Sequence, residues 1–257
     1  MAKVFSRRDF VVTAGTLLAV GSVLPIGSLI LPPEVSAEPV EPANSWPDKW
    51  NGKEWGFVVD TPKCIGCARC VKACKEENGV PMDKPVFRTW VERYMEDTNG
   101  QVEIESPNGG LDISSVEGSY TKEFFVPKLC NQCKKPACVQ VCPVGATYRT
   151  GDGVVLVDRQ RCIGCGYCVQ ACPYGARFIH PVLHVADKCT WCYHRLVKGM
   201  LPVCVEVCPT GVRKIGNIKD SASTVSKLIK QEPVRVLKPE MGTQPDVFYI
   251  SLDEVVE

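Results

Sequence analysis

Four short runs of cysteine constrain this chain more than any other feature. The chain has 257 residues, and all 16 cysteines fall between Cys64 and Cys208. The third run sets the pattern: Cys162, Cys165, Cys168 and Cys172, followed by Pro173. This is C-x2-C-x2-C-x3-C-P, a spacing of thiolates that suits a [4Fe–4S] cubane. Three thiolates on a tight Gly-containing loop cap three irons of one cubane. The fourth sits about one helical turn further on and ligates a second cluster. Each run therefore needs a partner run. The chain supplies Cys64, Cys67, Cys70 and Cys74, then Cys130, Cys133, Cys138 and Cys142, and finally Cys189, Cys192, Cys204 and Cys208.

The runs differ in their middle spacing. It opens to x4 in the second run and to x11 in the fourth, which Tyr193 to Val203 fill. Proline follows the fourth cysteine in three runs, as Pro143, Pro173 and Pro209, whereas Lys75 follows Cys74. After each Cys-Pro pair stands Gly-x and a strand-like stretch, starting at Gly145, Gly175 and Gly211. This is an internal repeat. Thr147 to Arg149, the turn Asp152-Gly153 and Val154 to Val157 predict a hairpin joining runs two and three, as in a two-cluster ferredoxin.

Three other fates for these thiols fit less well. Eight disulfides at such crowded spacings are improbable, although the count is even. Structural zinc pairs two C-x2-C knuckles, and only the fourth run has an isolated pair of that kind. Covalent haem needs C-x-x-C-H, but Tyr193 separates Cys192 from His194. Adjacent runs two and three form one natural pair, and runs one and four follow. The ferredoxin exchange then gives the ligand sets Cys130/Cys133/Cys138/Cys172, Cys162/Cys165/Cys168/Cys142, Cys64/Cys67/Cys70/Cys208 and Cys189/Cys192/Cys204/Cys74.

Residues 1–37 read as an export signal. Ser6-Arg7-Arg8-Asp9-Phe10 is a twin-arginine core, an apolar stretch runs from Val11 to Leu31, and Val35-Ser36-Ala37 is a small-residue exit with cleavage after Ala37. The alternative is an uncleaved signal-anchor, since the stretch is long enough to span a membrane. Residues 38–56 read as a Pro- and Trp-rich linker whose Trp46, Trp50 and Trp55 cover an edge of the body. Residues 57–257 form the cluster domain. Within it, residues 75–129 are a β-rich insertion. Its strands lie around Val86 to Tyr94, Val102 to Glu105 and Phe124 to Val126, with a hairpin turn at Asn99-Gly100 and a strand end at Pro127. Residues 212–257 are a C-terminal extension. There, Asp220 or Ser221 caps a helix with Val225, Leu228 and Ile229 on one face, and Val234 to Leu237 and Val247 to Ile250 are closing strands.

Charge and motifs exclude several functions. Thirty basic residues balance 29 acidic ones, so no basic field points to nucleic acid. No nucleophile–base set, phosphate loop or hydrolytic metal motif occurs. His180, His184 and His194 are the only histidines, and packing or surface roles suit them better than quinone or proton-relay roles. With 21 Gly and 20 Pro, the chain is loop-rich, and clusters take over part of the role of an apolar core.

In this order and with these gaps, the four runs resemble the four-cluster electron-transfer subunit of dimethyl sulfoxide reductase-type complexes. Ala186-Asp187-Lys188-Cys189 and Cys204-Val205-Glu206 through Cys208-Pro209-Thr210 carry the likeness, which runs from about Val59 to the C-terminus. The signal peptide and Arg177-Phe178-Ile179-His180-Pro181 are similar to exported members. These include the iron–sulfur component of formate-dependent nitrite reduction and the periplasmic ferredoxin-like component of a sulfite-reduction-associated membrane complex. The resemblance implies four [4Fe–4S] clusters, because Cys192 is present where nitrate reductase relatives carry tryptophan. It also implies an α+β fold of tandem bacterial-type ferredoxin modules with a loop-rich periphery. The implied partners are an integral membrane quinone-reacting subunit and a second redox subunit, a molybdoenzyme or multihaem cytochrome. The expected location is the periplasm or the outer face of the cytoplasmic membrane, reached by the twin-arginine route, in anaerobic respiration. No substrate site is expected on the chain itself. The competing reading is a terminal reductase acting directly on a small inorganic substrate. It would need an open iron site, and all 16 cysteines are used as ligands.

Overall fold

The computed structural model describes residues 52–114 and 120–256. The export stretch 1–37 and most of the linker, Trp46 and Trp50 included, lie outside the described residues. Strand β1 (Trp55–Asp60) begins inside the stretch assigned as linker. Its Phe57, Val58 and Val59 are fully buried, as a strand covered on both faces requires. It pairs antiparallel with β9 (Arg213–Asn217) and parallel with β11 (Val247–Ile250). The short β10 (Val234–Arg235) closes the sheet, whose order is β10-β11-β1-β9. The segment read as a C-terminal extension thus supplies every strand of this sheet except β1. Strand β1 leads into run one and β9 leaves run four, so their pairing draws those two runs together.

One helix covers this sheet. Thr224–Gln231 (called α6 here) sets Val225 against Val58 and Ile250, with Leu228 and Ile229 beside it. The expected apolar face is present, but the cap differs. Ser223 is the N-cap, and the Asp220 carboxylate accepts the Ala222 N–H at 2.9 Å in the turn before it. An Asx turn uses the same side-chain chemistry as a cap, which is why the two are confused in sequence.

The insertion is a three-stranded sheet of order β3-β2-β4, from β2 (Thr89–Asp97), β3 (Val102–Glu105) and β4 (Tyr120–Leu129). Asp97 Oδ1 accepts the N–H groups of Asn99 and Gln101, both at 2.8 Å, and fixes the hairpin turn. Strand β4 does not stop at Pro127, which lies opposite Val91 inside the ladder. An edge strand tolerates proline because its outer side needs no donor. Two further hairpins are β5 (Thr147–Arg149) with β6 (Val155–Val157), and β7 (Arg177–Ile179) with β8 (Ala186–Lys188). The first was expected, whereas β8 carries no sequence signal beyond its partner.

Each run ends on a helix. These are α1 (Arg69–Asn78), α2 (Ala137–Gln140), α3 (Tyr167–Gln170) and α5 (Val203–Glu206), while α4 (Tyr193–Leu196) fills part of the x11 gap. The third cysteine of every run, Cys70, Cys138, Cys168 or Cys204, is the second residue of its helix. The enlarged x4 and x11 loops are spliced in before the helix and leave its register untouched. Helix α1 packs on α5, and α2 on α3.

Helix α1 is longer than the others because Lys75 replaces proline. A proline there would lack the N–H and clash with the preceding turn, so α1 continues to Asn78 where the other three stop. It ends at Gly79, in the left-handed conformation. Lys75 is buried. Its ammonium donates to the carbonyls of Lys84 at 2.8 Å and Pro81 at 3.1 Å, and lies 4.2 Å from the Phe87 ring centroid. Lys75→Met leaves these carbonyls without their donor and removes the cation–π contact, at a cost of about 2–3 kcal/mol. Anaerobic urea unfolding, followed by visible absorbance, should show an earlier midpoint. An unchanged midpoint would remove this role for Lys75.

Candidate metal centre

The loops that carry the first two cysteines of each run share one backbone device. The residue before the second cysteine has positive φ in all four: Gly66 (69°), Gln132 (46°), Gly164 (69°) and Trp191 (53°). At Gly66 a Cβ would meet the Phe125 ring at 2.5 Å, and at Gly164 the His184 carbonyl at 2.4 Å. Gln132 and Trp191 adopt a conformation that costs an L-residue about 1–2 kcal/mol. Both are almost completely buried, and packing holds them there. Gln132 donates to the Cys189 carbonyl at 2.7 Å and accepts the Val155 N–H at 2.7 Å. Trp191 packs 5.8 Å from Phe57, centroid to centroid. Gln132 ties run two to run four, and Trp191 ties run four to β1. The motif alone gave no reason to single them out.

Cys74 and Cys172 each lie among the thiols of another run. Cys74 is buried, and its thiol is pushed well up by burial and then by Cys189 and Cys204, with Cys192 also near. Asn78 Nδ2 bridges Cys74 Sγ at 3.5 Å and Cys192 Sγ at 3.8 Å. In the second pair, Cys130, Cys133, Cys138 and Cys172 line one cleft together with Asn131, Arg177 and Thr243. Burial, followed by Cys130, pushes Cys133 up to about 12, and burial also raises Cys138 and Cys172. Burial pushes Cys64 up to about 11 and Cys189 to about 12. The charge of Cys130 is felt at Cys189, and that of Cys70 at Cys204, so these groups of thiols lie within electrostatic reach of each other. Cys67 and Cys165 alone are exposed.

Cys142 and Cys208 behave differently. Burial opposes their ionisation, but backbone N–H donors outweigh it and lower both thiols. Thr147 N lies 3.4 Å from Cys142 Sγ, and Val212 N lies 3.3 Å from Cys208 Sγ. The Cys-Pro-x-Gly turns create these pockets. Gly145 and Gly211 sit at φ 63° and 64° and fold the next strand back over the sulfur. Cys162 and Cys189 each accept one backbone N–H, from Ala186 at 3.3 Å and Trp191 at 3.4 Å.

The donor set fits iron–sulfur clusters. None of the sixteen thiols is disulfide-linked. Among the described residues, no three His, Cys, Asp or Glu side chains converge on one point, as a single tetrahedral zinc requires. Buried N–H groups of Asn131, Arg177 and Arg213 lack a protein partner beside the thiols, which suits cluster sulfides as acceptors. The histidines stand apart from this chemistry. His180 is buried, donates from Nε2 to the Gly79 carbonyl at 3.2 Å and accepts the Leu183 N–H at Nδ1. His194 pairs with Glu77 at 2.8 Å on the surface, and His184 lies in the turn beside Gly164.

Comparison with known proteins agrees with this chemistry. Residues 121–218 match a family model described as a 4Fe-4S dicluster domain, and residues 63–146 match a second one of the same description. The chain is 40% identical over 251 residues to a subunit of the tetrathionate reductase of Salmonella typhimurium, spanning 97% of this chain and 89% of the relative. It is 47% identical over 205 residues to the corresponding tetrathionate reductase subunit of Archaeoglobus fulgidus, spanning 80% and 86%. Protein NrfC of Escherichia coli K12 is 40% identical over 202 residues, spanning 78% and 82%. The fold is α+β, built of two dicluster ferredoxin-like modules, and the chain carries iron–sulfur clusters. With this extent of identity, the chain belongs to the iron–sulfur electron-transfer subunits of the dimethyl sulfoxide reductase-type complexes.

Proposed function

We propose that the sixteen cysteines hold four [4Fe–4S] clusters in the crossed sets Cys64/Cys67/Cys70/Cys208, Cys189/Cys192/Cys204/Cys74, Cys130/Cys133/Cys138/Cys172 and Cys162/Cys165/Cys168/Cys142. The observation that carries this reading is the placement of the fourth cysteines: Cys74 lies among the thiols of run four, and Cys172 shares the cleft of run two. Ferredoxin exchange is reciprocal, so Cys208 and Cys142 complete the other two sets. Arg213 supports this for Cys208: its backbone N–H reaches Cys208 while its guanidinium lies 3.4 Å from Cys70 Sγ. Such clusters take up and release single electrons, and the chain's own part is to hold them in series.

The order follows from the thiol neighbours. Run one and run four are within electrostatic reach through Cys70 and Cys204, and run four and run two through Cys189 and Cys130. Run three lies beyond run two. The two ends are the exposed ones, with Cys67 and Ile65 at one and Cys165, Ile163 and Tyr167 at the other. A series with two exposed ends serves two partners. One is an integral membrane quinone-reacting subunit, and the other a second redox subunit, a molybdoenzyme or multihaem cytochrome. Several relatives are named as subunits of tetrathionate, selenate or dimethyl sulfoxide reductases, which supports a catalytic partner of that kind. No helix among the described residues is long and apolar enough to cross a membrane, so attachment falls to the partner or the N-terminal stretch. The chain works outside the cytoplasm, carried there with its clusters by the twin-arginine signal of residues 1–37, ahead of the linker and the domain.

The native complex tests this. Affinity purification from membranes should recover a quinone-reacting membrane subunit and a second redox subunit. The Arg7→Lys, Arg8→Lys double variant should leave the chain in the cytoplasm without the membrane subunit. A chain recovered alone that reduces an inorganic oxyanion would favour a terminal reductase instead, and unchanged delivery of the double variant would remove the twin-arginine route.

A further inference from the structure

Arg88, Arg177, Lys188 and Arg213 are buried beside the thiols, and among the described residues Arg88 alone of these is paired with a carboxylate. Arg88 pairs with Asp187 at 2.7 Å, and both are buried. Arg177, Lys188 and Arg213 are equally buried, at 4%, 0% and 2% exposure, and none is in an ion pair among the described residues. A buried cation without a counter-charge is strongly unfavourable. Something else must balance these three.

Their positions name it. Arg213 Nη2 lies 3.4 Å from Cys70 Sγ and 2.8 Å from Thr89 Oγ1, and its charge is felt by Cys204 as well as Cys70. It therefore stands between runs one and four. The Lys188 ammonium donates to the Cys189 carbonyl at 2.9 Å and to the Val155 carbonyl, and also acts on Cys138. It stands between runs four and two. Arg177 lines the run-two cleft and donates to Thr147 Oγ1 at 3.3 Å, whose own N–H reaches Cys142 Sγ. Its charge interacts with Cys138 and Cys168, so it stands between runs two and three. The two arginines sit at the same place in the internal repeat, five residues after Cys172 and Cys208.

We propose that Arg213, Lys188 and Arg177 are positioning residues for electron transfer. Each is a fixed positive charge at one of the three junctions of the series and raises the reduction potential of the two clusters that flank it. This rests on the four-cluster reading above. Reduction adds one negative charge to a cluster, and a cation in a medium of low dielectric stabilises the reduced form. A guanidinium does not lose its proton, so the bias at the outer junctions is constant over the working pH range. Set between two groups of thiols, the charge would also screen an electron held at one from an electron held at the next.

Anaerobic redox titration followed by electron paramagnetic resonance tests the proposal on the loaded full chain. Arg177→Gln and Arg213→Gln keep an amide donor and remove the charge, while Arg177→Lys and Arg213→Lys keep the charge and lose the planar fork. Each Gln variant should make two of the four clusters harder to reduce, shifting their oxidised-to-reduced ratio about tenfold, or about 59 mV for one electron. The pairs moved by Arg177→Gln and by Arg213→Gln should not overlap, whereas Lys188→Met should move one cluster from each pair. The Lys variants should titrate as the wild type does. Wild-type potentials in a fully loaded Gln variant, a uniform shift of all four clusters, or equal shifts in Gln and Lys variants would each overturn the proposal. Titration reads loaded molecules only, so partial loading still gives an answer, and a Lys variant that loads no clusters counts against charge as the cause. Iron content, measured on the same samples, separates this outcome from failure of the four-cluster reading, which would show as low iron in the wild type.

Discussion

Protein prepared without oxygen should contain about sixteen irons and as many labile sulfides per chain, four of each for every cubane. The expectation follows from the way the fold treats its thiols. Burial raises Cys64 to about 11 and Cys133 and Cys189 to about 12. The polypeptide alone therefore holds them as neutral thiols at pH 7. Iron binding replaces those protons, so assembly releases protons and is coupled to folding. Removing iron with a strong chelator should accordingly bleach the visible absorbance and collapse the tertiary structure together. An iron count near eight would mean that one module is empty. Stoichiometric zinc in a colourless, folded chain would refute the cluster assignment altogether.

Single ligand replacements should give crossed signatures. Cys172→Ser should remove or convert the cluster held by Cys130, Cys133 and Cys138, although Cys172 belongs to run three. Its missing resonance should match that of Cys133→Ser and differ from that of Cys165→Ser. Cys74→Ser should likewise match Cys192→Ser, because Asn78 holds those two sulfurs together. Cys142→Ser should affect the cluster of Cys162, Cys165 and Cys168. In each case iron should fall from about sixteen to about fifteen if a [3Fe–4S] cluster survives, or to about twelve if the cubane is lost. Lost cubanes should also lower stability, since each staples two parts of the chain. A Cys172→Ser signature that matches Cys165→Ser would mean that each run binds its own cluster and that the exchange is wrong.

The parts of this molecule that were legible in the sequence are those with a fixed offset. Cysteine spacing encodes loop and helix register directly, so the enlarged gaps of runs two and four could be recognised as insertions. The β5–β6 hairpin was legible from its turn residues, and so was the apolar face of α6. Asp220 and Ser221, the caps that the sequence offers before a helix capped by Ser223, show the limit. Both side chains suit a cap, and only the packed helix decides which residue precedes it. Gln132 and Trp191 were hidden for a different reason: their positive φ is imposed by tertiary packing, and their residue types ordinarily avoid it. Arg177 and Arg213 did leave a trace, since the repeat places an arginine at the same offset twice. Their significance depends on the lack of a carboxylate nearby, which no linear pattern reveals. Strand β8 lacks an Asp-Gly turn of the kind that marks β5–β6, and it is formed by pairing with β7.

The pairing of β1 with β9 has a consequence for how the chain comes into being. In the crossed sets proposed above, runs two and three lie inside runs one and four in sequence, so the inner module has all its cysteines once Cys172 has been made. The outer module does not. Cys64, Cys67 and Cys70 emerge early and must wait for Cys208 and for β9 before their sheet can close. At about 5–20 residues per second, synthesis from Cys70 to Cys208 takes on the order of ten seconds. During that interval three thiols stand incomplete, open to oxygen and to stray metal. On that pairing, the run that is made first is the one that waits longest for its partner.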